Sequence, residues 1–88
     1  MNRQLHILKN PDDREAIALI RILADQYPEK ITVVLIQDAV TVVPSWKSPT
    51  YCVIDDSTPE ARPAAGVESI GYDRLIDLIF ETDTVLGW

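Results

Sequence analysis

Positive charge is scarce in this chain: eight Lys and Arg stand against fourteen Asp and Glu, for a net charge of -6 and a pI near 4.5. Affinity for nucleic-acid phosphates depends on clustered Lys and Arg. The basic residues here are scattered, which argues against direct nucleic-acid binding. Cysteine and histidine are scarcer still, at one each. Cys52 alone cannot close an internal disulfide, and Cys52 with His6 falls short of the usual ligand count of a zinc site. No metal and no cofactor is expected. Long hydrophobic runs are also missing: no stretch reaches the roughly 18 apolar residues of a membrane span. Met1-Asn2-Arg3-Gln4 carries no apolar signal core. The cytoplasm is therefore the expected compartment, without membrane contact.

What remains is ordinary globular material, 47% hydrophobic and 25% charged, outside the composition of disordered chains. With 88 residues the expectation is a single domain, 1–88. A domain this small buries only roughly 60–70% of the surface its unfolded chain exposes. Oligomerisation would relieve that marginality.

Gln4 to Leu8 reads as a short strand. Asn10-Pro11-Asp12-Asp13 then offers an N-cap, a proline for the first helical position and acidic residues for the positive dipole end. The spacing of Ala16, Leu19, Ile20, Leu23 and Tyr27, with Ile17 and Ala24 widening the stripe, predicts a helix from Asp12 to about Tyr27 that Pro28 stops. Ile31 to Ile36 is an unbroken, β-branched apolar run, the pattern of a central strand covered on both faces. Gln37-Asp38 follows it, at the edge where open parallel sheets place their sites.

Residues 39–49 hold at most two helical turns, because Val40, Val42 and Val43 disfavour a long helix and Pro44 ends a short one. Thr50 to Ile54 reads as a third strand, and 57–66, with two prolines, as a loop containing at most a helical turn. Val67 to Ile70 fits a fourth strand. After Gly71, residues Tyr72, Leu75, Ile76, Ile79 and Phe80 mark one face of a final helix. The tail runs through Val85-Leu86 to Trp88. Strand and helix alternating over this length implies βαβ units. The predicted fold is a small α/β three-layer sandwich, with a mostly parallel sheet of four to five strands and helices on both faces.

Several segments, in order, are similar to the TusB/DsrH family of sulfur-relay proteins, within the DsrE/DsrF-like superfamily. Leu5-His6-Ile7-Leu8 resembles the family's opening strand. Val34-Leu35-Ile36-Gln37-Asp38-Ala39-Val40-Thr41 resembles its Leu-Leu-Gln-Asp-Gly-Val motif, with Ala39 in the glycine's place. Tyr51-Cys52-Val53-Ile54-Asp55-Asp56 is similar to its Tyr-Ala-Leu, two variable positions and an Asp. Ile70-Gly71-Tyr72-Asp73-Arg74-Leu75-Ile76-Asp77-Leu78 resembles its Ile-Asp-Tyr-x-x-Phe-Val-x-Leu stretch, and Trp88 matches its terminal Trp. Departures accompany the matches. Thr82 stands where members often carry a histidine, and Pro44, Pro59 and Pro63 interrupt two connecting regions.

The resemblance implies a subunit that assembles with TusC/TusD-like or DsrE/DsrF-like chains and supports persulfide transfer between cysteines. Such a relay ends in 2-thiolation of the tRNA wobble uridine or in sulfur oxidation. In that assembly the main persulfide cysteine lies on a partner, and the TusB subunit is largely structural and non-catalytic. Some DsrH members carry a cysteine in the first helix. Here Ala18-Leu19-Ile20-Arg21 has none, which favours the role without a carrier thiol. The alternatives are a sulfurtransferase carrying persulfide on Cys52 and a stand-alone homo-oligomer.

Residue by residue, Cys52 is the one candidate catalytic group, since persulfide transfer needs an activated, accessible thiolate. Against it, free Cys is among the most buried residue types, and no Lys, Arg or His lies near it in sequence. His6 sits in an apolar strand without a nucleophile partner and reads as structural. Asp38, Asp55 and Asp56 follow strands on one sheet edge, as caps and turn formers or as an acidic cluster. Trp46, Val85, Leu86 and Trp88, with Gln37 and Asp38, are the candidate partner contacts, because aromatics are enriched in interface cores. The two tryptophans equally suit covering the edges of their own core.

Overall fold

A computed structural model describes residues 3–54 and 64–88. In chain order the elements are β1 (Gln4–Leu8), α1 (Arg14–Gln26), β2 (Ile31–Leu35), a short 3-10 helix (Gln37–Thr41), β3 (Thr50–Val53), β4 (Glu68–Ile70), α2 (Tyr72–Glu81) and β5 (Thr84–Gly87). The strands form one sheet in the order β4-β3-β2-β1-β5, and every pairing is parallel. The expected α/β class and layering are present. β2 is the central strand, and its Ile31, Val33, Val34 and Leu35 are buried.

Alternate side chains of each strand feed two apolar clusters, one per face of the sheet. The larger holds Leu8, Ile31, Val33, Leu35 and Cys52 under Ala16, Ile20 and Ala24 of α1, with Ala39, Val40 and Trp46 filling in from the β2–β3 connection. The smaller holds Leu5, Val34 and Val53 under Leu78 of α2, flanked by Ile7, Ile36, Tyr51, Ile70 and Leu75. No helix among the described residues is long and apolar enough to cross a membrane.

Four details depart from the sequence reading. Asp13 rather than Asn10 caps α1, its carboxylate accepting from the Ala16 N–H at 3.1 Å. Asn10 instead forms a local turn, its side-chain oxygen accepting from the Asp12 N–H at 2.9 Å, an Asx turn that competes with helix initiation. The buried line of α1 is Ala16, Ile20 and Ala24, with Leu19 and Tyr27 left exposed. The tail is a true strand: β5 pairs in parallel with β1 from Gln4↔Thr84 to Ile7↔Gly87. Four residues ending in glycine carry little strand signal, so this edge depends on β1 being there to receive it. Residues 57–63 of the expected loop lie outside the described residues.

The fourth departure concerns α2. Its apolar residues do not all face the sheet: Leu78 is buried, whereas Tyr72, Ile76, Ile79 and Phe80 are exposed. At roughly 100° per residue, the positions from Leu78 through Leu75, Ile79, Tyr72 and Ile76 to Phe80 span an arc of about 200°. That is about twice what one flat contact covers.

Candidate functional site

The carboxyl edge of the sheet is where Gln37-Asp38 was expected to matter, and local geometry there is distinctive. The Ile36 N–H donates to the Leu8 carbonyl at 2.9 Å, extending the β2 ladder by one residue. Gln37 then turns at φ 51°, in the left-handed region that a non-glycine residue enters at a cost. The turn starts the 3-10 helix directly, with the Ala39 N–H donating to the Ile36 carbonyl at 3.0 Å. Gln37 and Asp38 are both exposed. Beside them the ends of β1, β2 and β5 frame an open depression of about 350 Å³, lined by Ile7, Lys9, Ile36, Gly87 and Trp88. Its lining residues are apolar apart from Lys9. Asp55 and Asp56 lie outside the described residues, and no group of three or more His, Cys, Asp or Glu side chains among the described residues could hold a metal ion.

Trp88 is tied to His6 from the far end of the chain. The Trp88 backbone N–H donates to the Ile7 carbonyl at 2.9 Å, and its indole N–H donates to Nδ1 of His6 at 3.1 Å. An indole nitrogen can only donate, so Nδ1 accepts and the ring proton sits on Nε2. That nitrogen reaches Oε1 of Gln4 at 3.1 Å. His6 is 1% exposed, and burial lowers its pKa from the ordinary 6.5. Both ring nitrogens are engaged and the neutral form is favoured, the state of a structural histidine.

Cys52 sits on β3 opposite Leu35 of β2 and Ser69 of β4. It is fully buried. Burial pushes its thiol above the ordinary value, and a hydrogen bond with Ser69 pulls weakly the other way. A relay thiol needs the opposite, a stabilised thiolate within reach of a partner. Trp46 is also turned inward: its indole N–H donates to Oγ1 of Thr50 at 2.7 Å inside the core. Of the candidate contact residues, Val85 is exposed, while Leu86 and Trp88 are half-buried.

An exposed apolar row on α2 was not among the candidate contacts. Tyr72, Ile76 and Phe80 follow one another at i, i+4 and i+8, at 54%, 50% and 83% exposure. The signal is an apolar arc too wide for one sheet face, where the sequence pattern alone marks Tyr72, Leu75, Ile76, Ile79 and Phe80 as one face of a helix.

A five-stranded parallel sheet with one helix against each face places this chain in the small α/β class. The chain is similar in structure to the ychN protein from E. coli, at a TM-score of 0.73 and 14% sequence identity, covering 100% of both chains. At that identity the likeness is one of fold. No protein-family model matches the chain, and neither does any curated protein sequence.

Proposed function

We propose that this chain is a non-catalytic subunit of a sulfur-relay complex of the TusBCD or DsrEFH kind, one that supports persulfide transfer on a cysteine-bearing partner. The observation that carries the reading is Cys52: within a DsrE-like fold, the only thiol of the chain is 0% exposed and made less acidic by its surroundings. A chain built this way contributes surface and support, and the chemistry belongs to another subunit. The product of the relay would be tRNA thiolated at the wobble uridine, or oxidised sulfur.

The test is association. The chain should co-purify in defined stoichiometry when co-expressed with a TusC-like and a TusD-like chain. If it stays monomeric in the presence of both, the proposal fails.

A further inference from the structure

On α2, two rows of side chains run side by side. Tyr72, Ile76 and Phe80 form an exposed apolar row. Asp73, Asp77 and Glu81, each one position further on, form an exposed acidic row directly beside it, since residues four apart on a helix stack on the same face. Ile79, also exposed, widens the apolar row on its other side. The one cation of the helix, Arg74, is paired with Glu81 at 3.3 Å.

This arrangement selects among occupants. A second copy is disfavoured: an antiparallel pairing through the apolar rows sets the two acidic rows against each other. A parallel pairing sets each acidic row against the Ile79 side of the other helix, which carries no cation. Like charges facing across an interface suppress pairing, and opposite charges select for it. We infer that the α2 surface docks a different protein chain, one whose contact face has an apolar centre and a basic rim. The proposal deepens the subunit reading, on which it rests, by assigning the contact surface and the partner's chemistry. The large apolar side chains would seat in the partner's centre, where binding energy concentrates, and the acidic row would set orientation and approach.

Two synthetic helical peptides that share a Leu/Phe face, one rimmed with Lys and one with Glu, test the surface directly on the isotopically labelled chain. By NMR, the Lys peptide should shift resonances of 72–81, bind about tenfold or more tightly than the Glu peptide, and weaken as salt screens the rim. The double variant Ile76→Ser/Phe80→Ser should lose about thirtyfold in affinity, with an unchanged circular dichroism spectrum. Equal binding of the two peptides, shifts elsewhere on the chain, or a wild-type dimer formed through α2 by light scattering would overturn the inference.

Co-expression separates the inference from the reading beneath it. If the wild type and the double variant both co-purify with the TusC-like and TusD-like chains, the α2 surface is wrong and the subunit role stands. If the wild type binds the Lys peptide on α2 yet co-purifies with neither chain, the surface stands and the sulfur-relay role falls.

Discussion

The indole of Trp88 donates a 3.1 Å hydrogen bond to Nδ1 of His6, with the two rings within 12° of parallel and their centroids 6.0 Å apart. The contact joins residues 82 positions apart and adds a side-chain bond to the backbone ladder between β5 and β1. Only the neutral imidazole can accept it.

That requirement gives stability a pH dependence. Burial holds the folded-state pKa of His6 below its ordinary 6.5, so between those two values the unfolded chain binds more protons and stability rises with pH. The contribution is complete above about pH 6.5 and is lost as pH falls through the folded pKa. The measurement is a set of thermal melts from pH 7.5 to 5.5 on the wild type and His6→Gln. The wild-type midpoint should drop across that range by more than the variant's. Parallel curves would refute the assignment.

Trp88→Phe keeps a ring against the core and removes the donor. Nδ1 of His6 is then left buried without a partner, a loss of about 1–3 kcal/mol. In a domain of this size each kcal/mol lowers the melting midpoint by about 4–8 °C. Calorimetry at pH 7.5 should therefore show a drop of at least a few degrees, whereas an unchanged midpoint would mean the hydrogen bond contributes nothing.

A second indole is held the same way on the opposite side of β2. Trp46 donates to Thr50 at 2.7 Å, and the Thr50 hydroxyl donates onward to the Ser48 carbonyl at 3.1 Å. Thr50→Val nearly preserves volume but leaves the indole N–H unpaired in the core, which costs about 1–3 kcal/mol. Urea unfolding should show a lower midpoint at an unchanged slope. A variant as stable as the wild type would show that the indole finds another acceptor.

At Gln37 the backbone, at φ 51°, discriminates between two substitutions of an exposed side chain. Glycine enters this region freely, so Gln37→Gly should range from neutral to stabilising by about 1 kcal/mol, the relief of strain being offset by entropy gained in the unfolded chain. A β-branched residue is a poor fit there, and Gln37→Val should cost about 1–2 kcal/mol. Denaturation midpoints with Gly at or above wild type, and both above Val, would fit; a Val variant as stable as the Gly variant would not.

The strands and helices that bury a periodic face are legible in the sequence. β1 matches the Gln4–Leu8 reading at both ends, β2 carries the run Ile31 to Leu35, and the 3.6-residue spacing located both helices. The helix start was not legible, because Asn10 and Asp13 are equally good caps and only the competing Asx turn decides between them. β5 was read as tail because its pairing with β1 is a tertiary property. The outward face of α2 shows a different limit. Periodicity reports that residues are apolar on one side of a helix, but not whether a sheet or another chain covers them. For the candidate site, Gln37 and Asp38 do reach the carboxyl edge. The same sequence-level treatment of large aromatics could not distinguish Trp46, which turns inward to Thr50, from Trp88, which covers His6.

Cys52 offers the sharpest chemical check on the role of the chain. A thiolate is the species that attacks an alkylating agent or a persulfide. The thiol here is 0% exposed and displaced toward its protonated form by burial. In the folded protein, modification by iodoacetamide at pH 8 must wait for opening of the β3 region, so it should be slower than in urea-unfolded protein by the opening equilibrium, about a hundredfold or more for a marginally stable domain. Intact-mass spectrometry over time checks this. The same readout after incubation with a cysteine desulfurase and free cysteine should show no 52-persulfide on the folded chain. Rapid native alkylation, or a stable persulfide on Cys52, would overturn the proposed non-catalytic role and make Cys52 itself a sulfur carrier.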